Sequence, residues 1–195
     1  VYLSELGFNM REALSIYNKY GAFTMKNIDK NVFDISYDLE DISFNKVDEA
    51  SRRLEIEEFD DRRLEAIVFY SMKRLTYQNG DCYLDLNMIL RSVKGLFNIA
   101  LEEGKLREIL KKLKKNDKVF IDGEDYYLRD IWDAEDFIVN CVYNMASKNS
   151  KKTDVLSLLS EMEKLYGISY NDKQKEAVSR AVSNNFLIIT GGPGT

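Results

Sequence analysis

The sequence predicts a mainly α-helical chain that closes on one strand and a glycine-rich loop. Three observations carry that prediction. No proline occurs before Pro193, so nothing breaks a helix over almost the whole length. Apolar residues recur at helical spacing through successive segments. The last ten residues, FLIITGGPGT, instead run four consecutive apolar side chains, Phe186 to Ile189, into glycines. A short continuous apolar run is the pattern of a strand buried on both faces of a parallel sheet.

The opening residues read as a short helix around Tyr2–Leu6, a tight turn at Gly7, Phe8 and Asn9, and a helix from Met10 to Tyr20. Ala13, Leu14, Ile16, Tyr17 and Tyr20 form its apolar stripe, and Gly21 stops it. A second copy follows. Val32, Phe33 and Ile35 lie in a short helix, Asp41 to Phe44 in a turn, and Asn45 to Leu54 in another helix. This pair resembles tandem helix-hairpin-helix modules. Such a hairpin, of glycine–hydrophobic–glycine type, offers backbone N–H groups to a DNA phosphate without reading sequence. The first copy keeps Gly7 and Phe8 and has Asn9 at the second glycine position, where asparagine tolerates positive φ. It is read either as a phosphate cradle or as a packing unit. The second copy has Asp41 and Ser43 where glycines belong. A carboxylate repels phosphate, so this copy is read first as a packing unit.

Asp60 and Asp61 suit the positive end of a long helix reaching Asn79, with Leu64, Ile67, Val68, Ser71, Met72 and Leu75 near one face. An extended piece at Cys82–Leu84 leads to helices over Asp85–Val93 and Leu101–Lys115. Val119–Ile121 and Tyr126–Leu128 flank Asp122-Gly123, a strong hairpin signal. Helix, short strand, helix, helix and hairpin is the order of a winged helix-turn-helix domain.

The stretch Lys105 to Lys118 is the one concentrated basic footprint: Lys105, Arg107, Lys111, Lys112, Lys114, Lys115 and Lys118 against Glu108 and Asp117. Leu106, Ile109, Leu110 and Leu113 make the buried stripe of this helix. Arg107, Lys111, Lys114 and Lys118 are expected together on an exposed side, flanked by Lys112 and Lys115. That face suits DNA phosphate contact; lysines complementing a helix dipole are the plainer alternative. No segment reads as the interleaved aromatic and basic platform of a single-strand binder, because Tyr and Phe fall mostly at core spacings.

From Ile131 a long helix carries a stripe of Ile131, Ala134, Ile138, Cys141, Val142 and Met145. Ser147 to Lys152 reads as a linker, and another helix runs from Thr153 to Tyr166, closed by Gly167. Asn171 to Val178 reads as a capped helix that leads into the strand Phe186–Thr190. Gly191, Gly192, Pro193, Gly194 and Thr195 match the first five positions of GxxxxGK[ST], a loop whose N–H groups cradle phosphates. A glycine turn after a strand is the alternative. Without neighbours in a sheet, this strand is expected to fray or to pair with another molecule.

Composition excludes several classes. At 45% hydrophobic and 31% charged the balance is that of a soluble globular protein. No apolar run spans a bilayer and no signal-peptide pattern opens the chain, so no membrane partner is expected. The absence of histidine removes histidine triads and most imidazole–metal chemistry. Cys82 and Cys141 are isolated, which indicates neither disulfide framework nor zinc site and makes a reducing, cytoplasmic setting the default. The net charge of −5 is mildly against a nucleic-acid binder, but the acidic excess sits in the first third, away from Lys105–Lys118.

Tyr170 to Thr195 is similar to the start of a superfamily 1 helicase motor, and GGPGT preceded by tandem hairpins and a winged-helix-like unit resembles the RecD-like DNA helicases, long-form relatives of the exodeoxyribonuclease V alpha subunit. The resemblance implies ATP-driven 5′–3′ translocation on single-stranded or forked DNA, in recombination or repair. It implies that Gln174 meets the adenine edge and that Gly191–Thr195 begin the nucleotide loop. Asn171 followed by Gln174 is equally the spacing of a helix capping box. Three regions are expected: 1–59 tandem hairpins, 60–130 winged-helix-like, and 131–195 linker helices and motor start. Val1 is not a natural start and the loop lacks its lysine, so the chain is expected to be truncated at both ends. ATP and Mg²⁺ then belong to the parent protein and none is expected on this piece, which would be inactive alone. The alternative is a helical protein-interaction module of another P-loop ATPase.

Overall fold

The computed structural model describes residues 1–147 and 155–192. The chain divides into two compact units, Val1–Trp132 and Asp133–Thr195. In the first, α1 (Tyr2–Glu5) and α2 (Met10–Tyr20) flank the first hairpin. A 3-10 turn (Gly21–Phe23) and α3 (Thr24–Lys30) lead to α4 (Asp34–Asp38) and α5 (Phe44–Arg53), which flank the second. Sequence periodicity did not anticipate α3. Only Thr24 and Ile28 are buried along it, two positions one turn apart, too few to stand out as a stripe. The expected stripe on α2 is also narrower than its spacing implies. Ile16 alone is buried, and Leu14 and Tyr17 face solvent.

Next come α6 (Asp61–Asn79), α7 (Leu86–Phe97) and α8 (Glu103–Lys115). Asp60 caps α6 by accepting from the Arg62 N–H, and Gly80 closes it with φ of +79°, a left-handed conformation that glycine adopts without strain. The hairpin β1 (Val119–Asp122) and β2 (Asp125–Leu128) pairs Val119 with Leu128 and Asp122 with Asp125. The two loop residues are therefore Gly123 and Glu124 rather than Asp122 and Gly123. Positive φ falls on Gly123 and not on Glu124, as in a II′ turn. Leu84 bridges Tyr126 and adds a third short segment.

One apolar core runs through this unit from Leu6 to Leu128, so the hairpin segment and the helices after it fold around shared side chains. Phe8, Ile42 and Phe44 anchor both hairpins in it. Leu106, Ile109, Leu110 and Leu113 are fully buried, as their spacing predicts. Between α5 and α6 lies a buried ion pair. Arg63 Nε and Nη2 donate to Asp48 Oδ1 and Oδ2 at 2.7 and 3.0 Å, and Arg63 Nη1 donates to the Glu58 carbonyl at 2.8 Å.

The second unit contains most of α9 (Arg129–Ala146), with α10 (Val155–Tyr166) packed against α11 (Asp172–Ser183). None of the α9 stripe is buried, and Ile138 is exposed. Phe186–Thr190 forms no strand, which corrects the expected first β-strand of a motor sheet. A strand exists through hydrogen bonds to a neighbour, and among the described residues only β1, β2 and Leu84 pair in that way. Ile188 and Ile189 are accordingly exposed. The linker residues 148–152, the first turn expected from Thr153, and Pro193, Gly194 and Thr195 lie outside the described residues.

Breaking the Arg63–Asp48 fork from one side leaves an uncompensated buried charge. Asp48→Ala is expected to cost about 3–5 kcal/mol in urea denaturation, and a double replacement of Asp48 and Arg63 by leucine and methionine to recover most of that loss.

Candidate nucleic-acid interface

The first hairpin takes its shape from Gly7, whose φ of +93° is open to glycine. A Cβ there would stand 3.0 Å from Arg53 Cζ, so the glycine also admits a guanidinium. Arg53 Nη1 donates to the Glu5 carbonyl at 2.9 Å across 48 residues of sequence, which places an exposed cation beside this hairpin. Sequence reading missed Arg53, because nothing local links it to Gly7.

The three N–H groups expected to cradle phosphate are already bonded. Gly7 donates to the Ser4 carbonyl and Phe8 to the Leu3 carbonyl, both at 3.0 Å. Asn9 N–H donates to Glu12 Oε2 at 2.7 Å, while Asn9 Oδ1 accepts from Glu12 N–H. This is a capping box. It places the Glu12 carboxylate on the donor a phosphate would take. Among the described residues no acceptor meets the Met10 and Arg11 N–H groups, which remain as the open donors of α2.

The second hairpin has the reverse character. Asp41 accepts from Ser15 Oγ at 3.2 Å. Ser43 caps α5 without a side-chain bond, and the first turn of α5 carries no acid. The N–H groups of Phe44 and Asn45 meet no acceptor among the described residues.

The basic side chains of α8 separate into three sets. Lys105 and Lys112 turn toward the start of α6, reaching Asp61 at 2.7 and 3.0 Å, and Lys112 also reaches Glu65 and Glu108. Hydrogen bonds from Lys105 and then Lys112 hold the Asp61 carboxyl below its usual range, and Asp61 in turn raises both lysines. Arg107 bonds Glu124, Glu103 and the Tyr126 hydroxyl, so it locks the hairpin to α8. Lys118 lies beyond the end of α8, with Nζ 5.3 Å from the Tyr37 ring centroid. Lys111, Lys114 and Lys115 stay exposed and make no ion pair among the described residues. Lys114 Nζ sits 5.8 Å from the Phe120 ring, which stacks on Trp132 at 3.9 Å. The expected single face of Arg107, Lys111, Lys114 and Lys118 is thus reduced to Lys111 and Lys114, joined by Lys115.

In the second unit, Gln174 closes a capping box with Asn171. Its Oε1 accepts the Asn171 N–H and its N–H donates to Asn171 Oδ1, both at 2.9 Å. The side-chain amide nitrogen makes no hydrogen bond among the described residues. Gly191 and Gly192 are exposed and outside regular structure, and the rest of the expected loop lies outside the described residues. No cluster of His, Cys, Asp or Glu among the described residues suits a metal ion, and no described helix is long and apolar enough to cross a membrane.

Residues 1–83 match the family model of the ATP-dependent RecD2 DNA helicase HHH domain. The RecBCD enzyme subunit RecD of Buchnera aphidicola subsp. Schizaphis graminum (strain Sg) is 40% identical over 70 residues. That stretch is 35% of this chain and 11% of the relative, so the similarity spans about a tenth of the relative's length. The first similarity is to a helix-hairpin-helix domain and covers both hairpins, and the second is to a RecD subunit.

The carboxylates held by Lys105, Lys112 and Arg107 have a definite pH signature. Asp61 and Glu124 lie below their ordinary values when folded, so their stabilisation is complete above about pH 4–5 and is lost as pH falls through the lowered values. Melting temperature is expected to fall between pH 5 and 2, and Asp61→Asn to flatten that fall by lowering the melting temperature above pH 6 while leaving it nearly unchanged near pH 2.

Proposed function

We propose that this chain is the accessory DNA-binding region and motor start of a RecD-like, ATP-dependent DNA helicase that moves 5′ to 3′ on single-stranded or forked DNA. Its setting is recombination or repair in the cytoplasm. The observation that carries the reading is the unpaired Lys111, Lys114 and Lys115 face of α8, in the same compact unit as the matched helix-hairpin-helix domain. We read α6, the Leu84 segment, α7, α8 and the hairpin as a winged helix, with α8 against phosphates. Gly7, Phe8 and Asn9 shape the first hairpin, where Met10 and Arg11 N–H and Arg53 are the contacts. Lys105, Arg107, Lys112 and Lys118 hold the surface in place rather than meeting DNA.

ATP and Mg²⁺ are assigned to the parent protein. Gly191, Gly192, Pro193, Gly194 and Thr195 open its nucleotide loop and Gln174 reaches the base. That assignment rests on the sequence motif. One observation favours a protein-docking role instead: Met10, Leu14 and Tyr17 form an exposed apolar stripe on α2.

Fluorescence anisotropy of labelled DNA at several salt concentrations separates these readings. Replacing Lys111, Lys114 and Lys115 by glutamine is expected to make the log–log salt slope shallower by about 2–3 on duplex DNA. Replacing Lys105 and Lys112 is expected to leave the slope unchanged while lowering thermal stability. No binding by the unaltered chain at low salt would leave the docking role. Glu12→Gln keeps the capping box and removes its charge, and is expected to tighten DNA binding a few-fold at low salt.

A further inference from the structure

The second hairpin and α6 enclose an open groove of about 480 Å³, within the range of about 300–1,000 Å³ typical of ligand sites. Ser43 and Phe44 line one side. The other is a stripe of α6 in which Phe69, Tyr70, Lys73, Arg74 and Tyr77 share one helical face. This is an interleaved aromatic and basic pattern that sequence spacing hid, because Phe69 and Tyr70 also pack partly against the core. Phe69 meets Tyr37 edge-on and Tyr70 stacks on Phe44 at 4.7 Å. Tyr77 is 57% exposed, with its hydroxyl donating to Asp130, so the ring is held in place with a face open. Lys73 and Arg74 make no ion pair with a carboxylate among the described residues, unlike Lys105, Arg107 and Lys112. Arg74 Nε donates only to Gln78 Oε1, at 3.0 Å. Glu40 is the one carboxylate of the lining, so cations are in excess.

We infer that this groove binds single-stranded DNA, with an unpaired base stacked on Tyr77 and the flanking phosphates at Lys73 and Arg74. An aromatic face takes a base of any sequence, but only one released from pairing, and two unpaired cations supply the complement to the backbone. A duplex presents its phosphates and hides its base faces, so the groove discriminates single strands from duplex. The inference rests on the DNA-binding reading above and adds a second surface, separate from α8.

The test uses the whole chain with fluorescent oligo(dT) and a duplex of equal length. Tyr77→Leu is expected to weaken oligo(dT) binding about tenfold and leave duplex binding unchanged, while Tyr77→Phe, which keeps the ring and loses the Asp130 bond, binds oligo(dT) as the unaltered chain does. Lys73→Gln with Arg74→Gln is expected to make the single-strand salt slope shallower by about 1. An oligonucleotide carrying 5-iododeoxyuridine is expected to crosslink to Tyr77. Should Tyr77→Leu and the Lys73/Arg74 variant bind oligo(dT) like the unaltered chain while that chain binds DNA, the groove is overturned and the α8 surface stands. If Tyr77→Phe loses binding as Tyr77→Leu does, the ring acts through Asp130 and the stacking role fails. An unaltered chain that binds neither DNA overturns both.

Discussion

The first unit depends on the fork between Arg63 and Asp48. A guanidinium and a carboxylate, both almost fully buried, lose their hydration on folding, and only bidentate pairing returns enough of that energy. Here each is satisfied further: Arg63 by the Glu58 carbonyl, and Asp48 by Arg52 at 3.0 Å. The fork joins the second hairpin's helix to the first turn of the helix after it, so the hairpins cannot move freely against α6. Arg62, one position earlier, reaches the Lys30 carbonyl at 3.0 Å and ties α3 to the same point. Asp60, Asp61, Arg62 and Arg63 thus make the start of α6 the polar junction of a unit otherwise joined by its apolar core.

That junction also shapes the charge pattern on the surface. Asp61 sits at the positive end of α6 and draws Lys105 and Lys112 out of the solvent-facing set on α8. Arg107 is drawn the other way, to the hairpin. Such exposed pairs contribute little stability each. Their larger effect is selection: they leave Lys111, Lys114 and Lys115 as the cations of α8 free to meet an anion. The same logic separates the two hairpins. Glu12 fills the donor of the first, whereas the second, with no acid in its first turn, opens onto a groove whose cations are unpaired.

Much of this was legible in the chain. Helix limits at Met10–Tyr20 and Asp61–Asn79 follow from the Asn9 and Asp60 caps at their starts and from Gly21 and Gly80 at their ends, which are local rules. The core face of α8 follows from a period of 3.6 in its leucines and isoleucine. Less legible were α3, with a single buried turn, and the exposed half of the α2 stripe, because a stripe records what could be buried and not what finds a neighbour. Phe186–Thr190 has the composition of a strand, yet composition supplies no hydrogen-bond partner.

The sequence by itself determined the limits of α2 and α6, which side chains of α6 and α8 turn inward, and the tight turns at Gly7 and Gly123. Those outcomes depend on residues within one or two turns of each other. Tertiary structure alone decided which charges cancel, because Asp61 meets Lys105 and Lys112 across 44 and 51 residues and Arg53 meets the first hairpin across 48. It also decided that Tyr77, Lys73 and Arg74 line a groove. A groove needs a second wall, and that wall comes from a hairpin some thirty residues earlier in the chain.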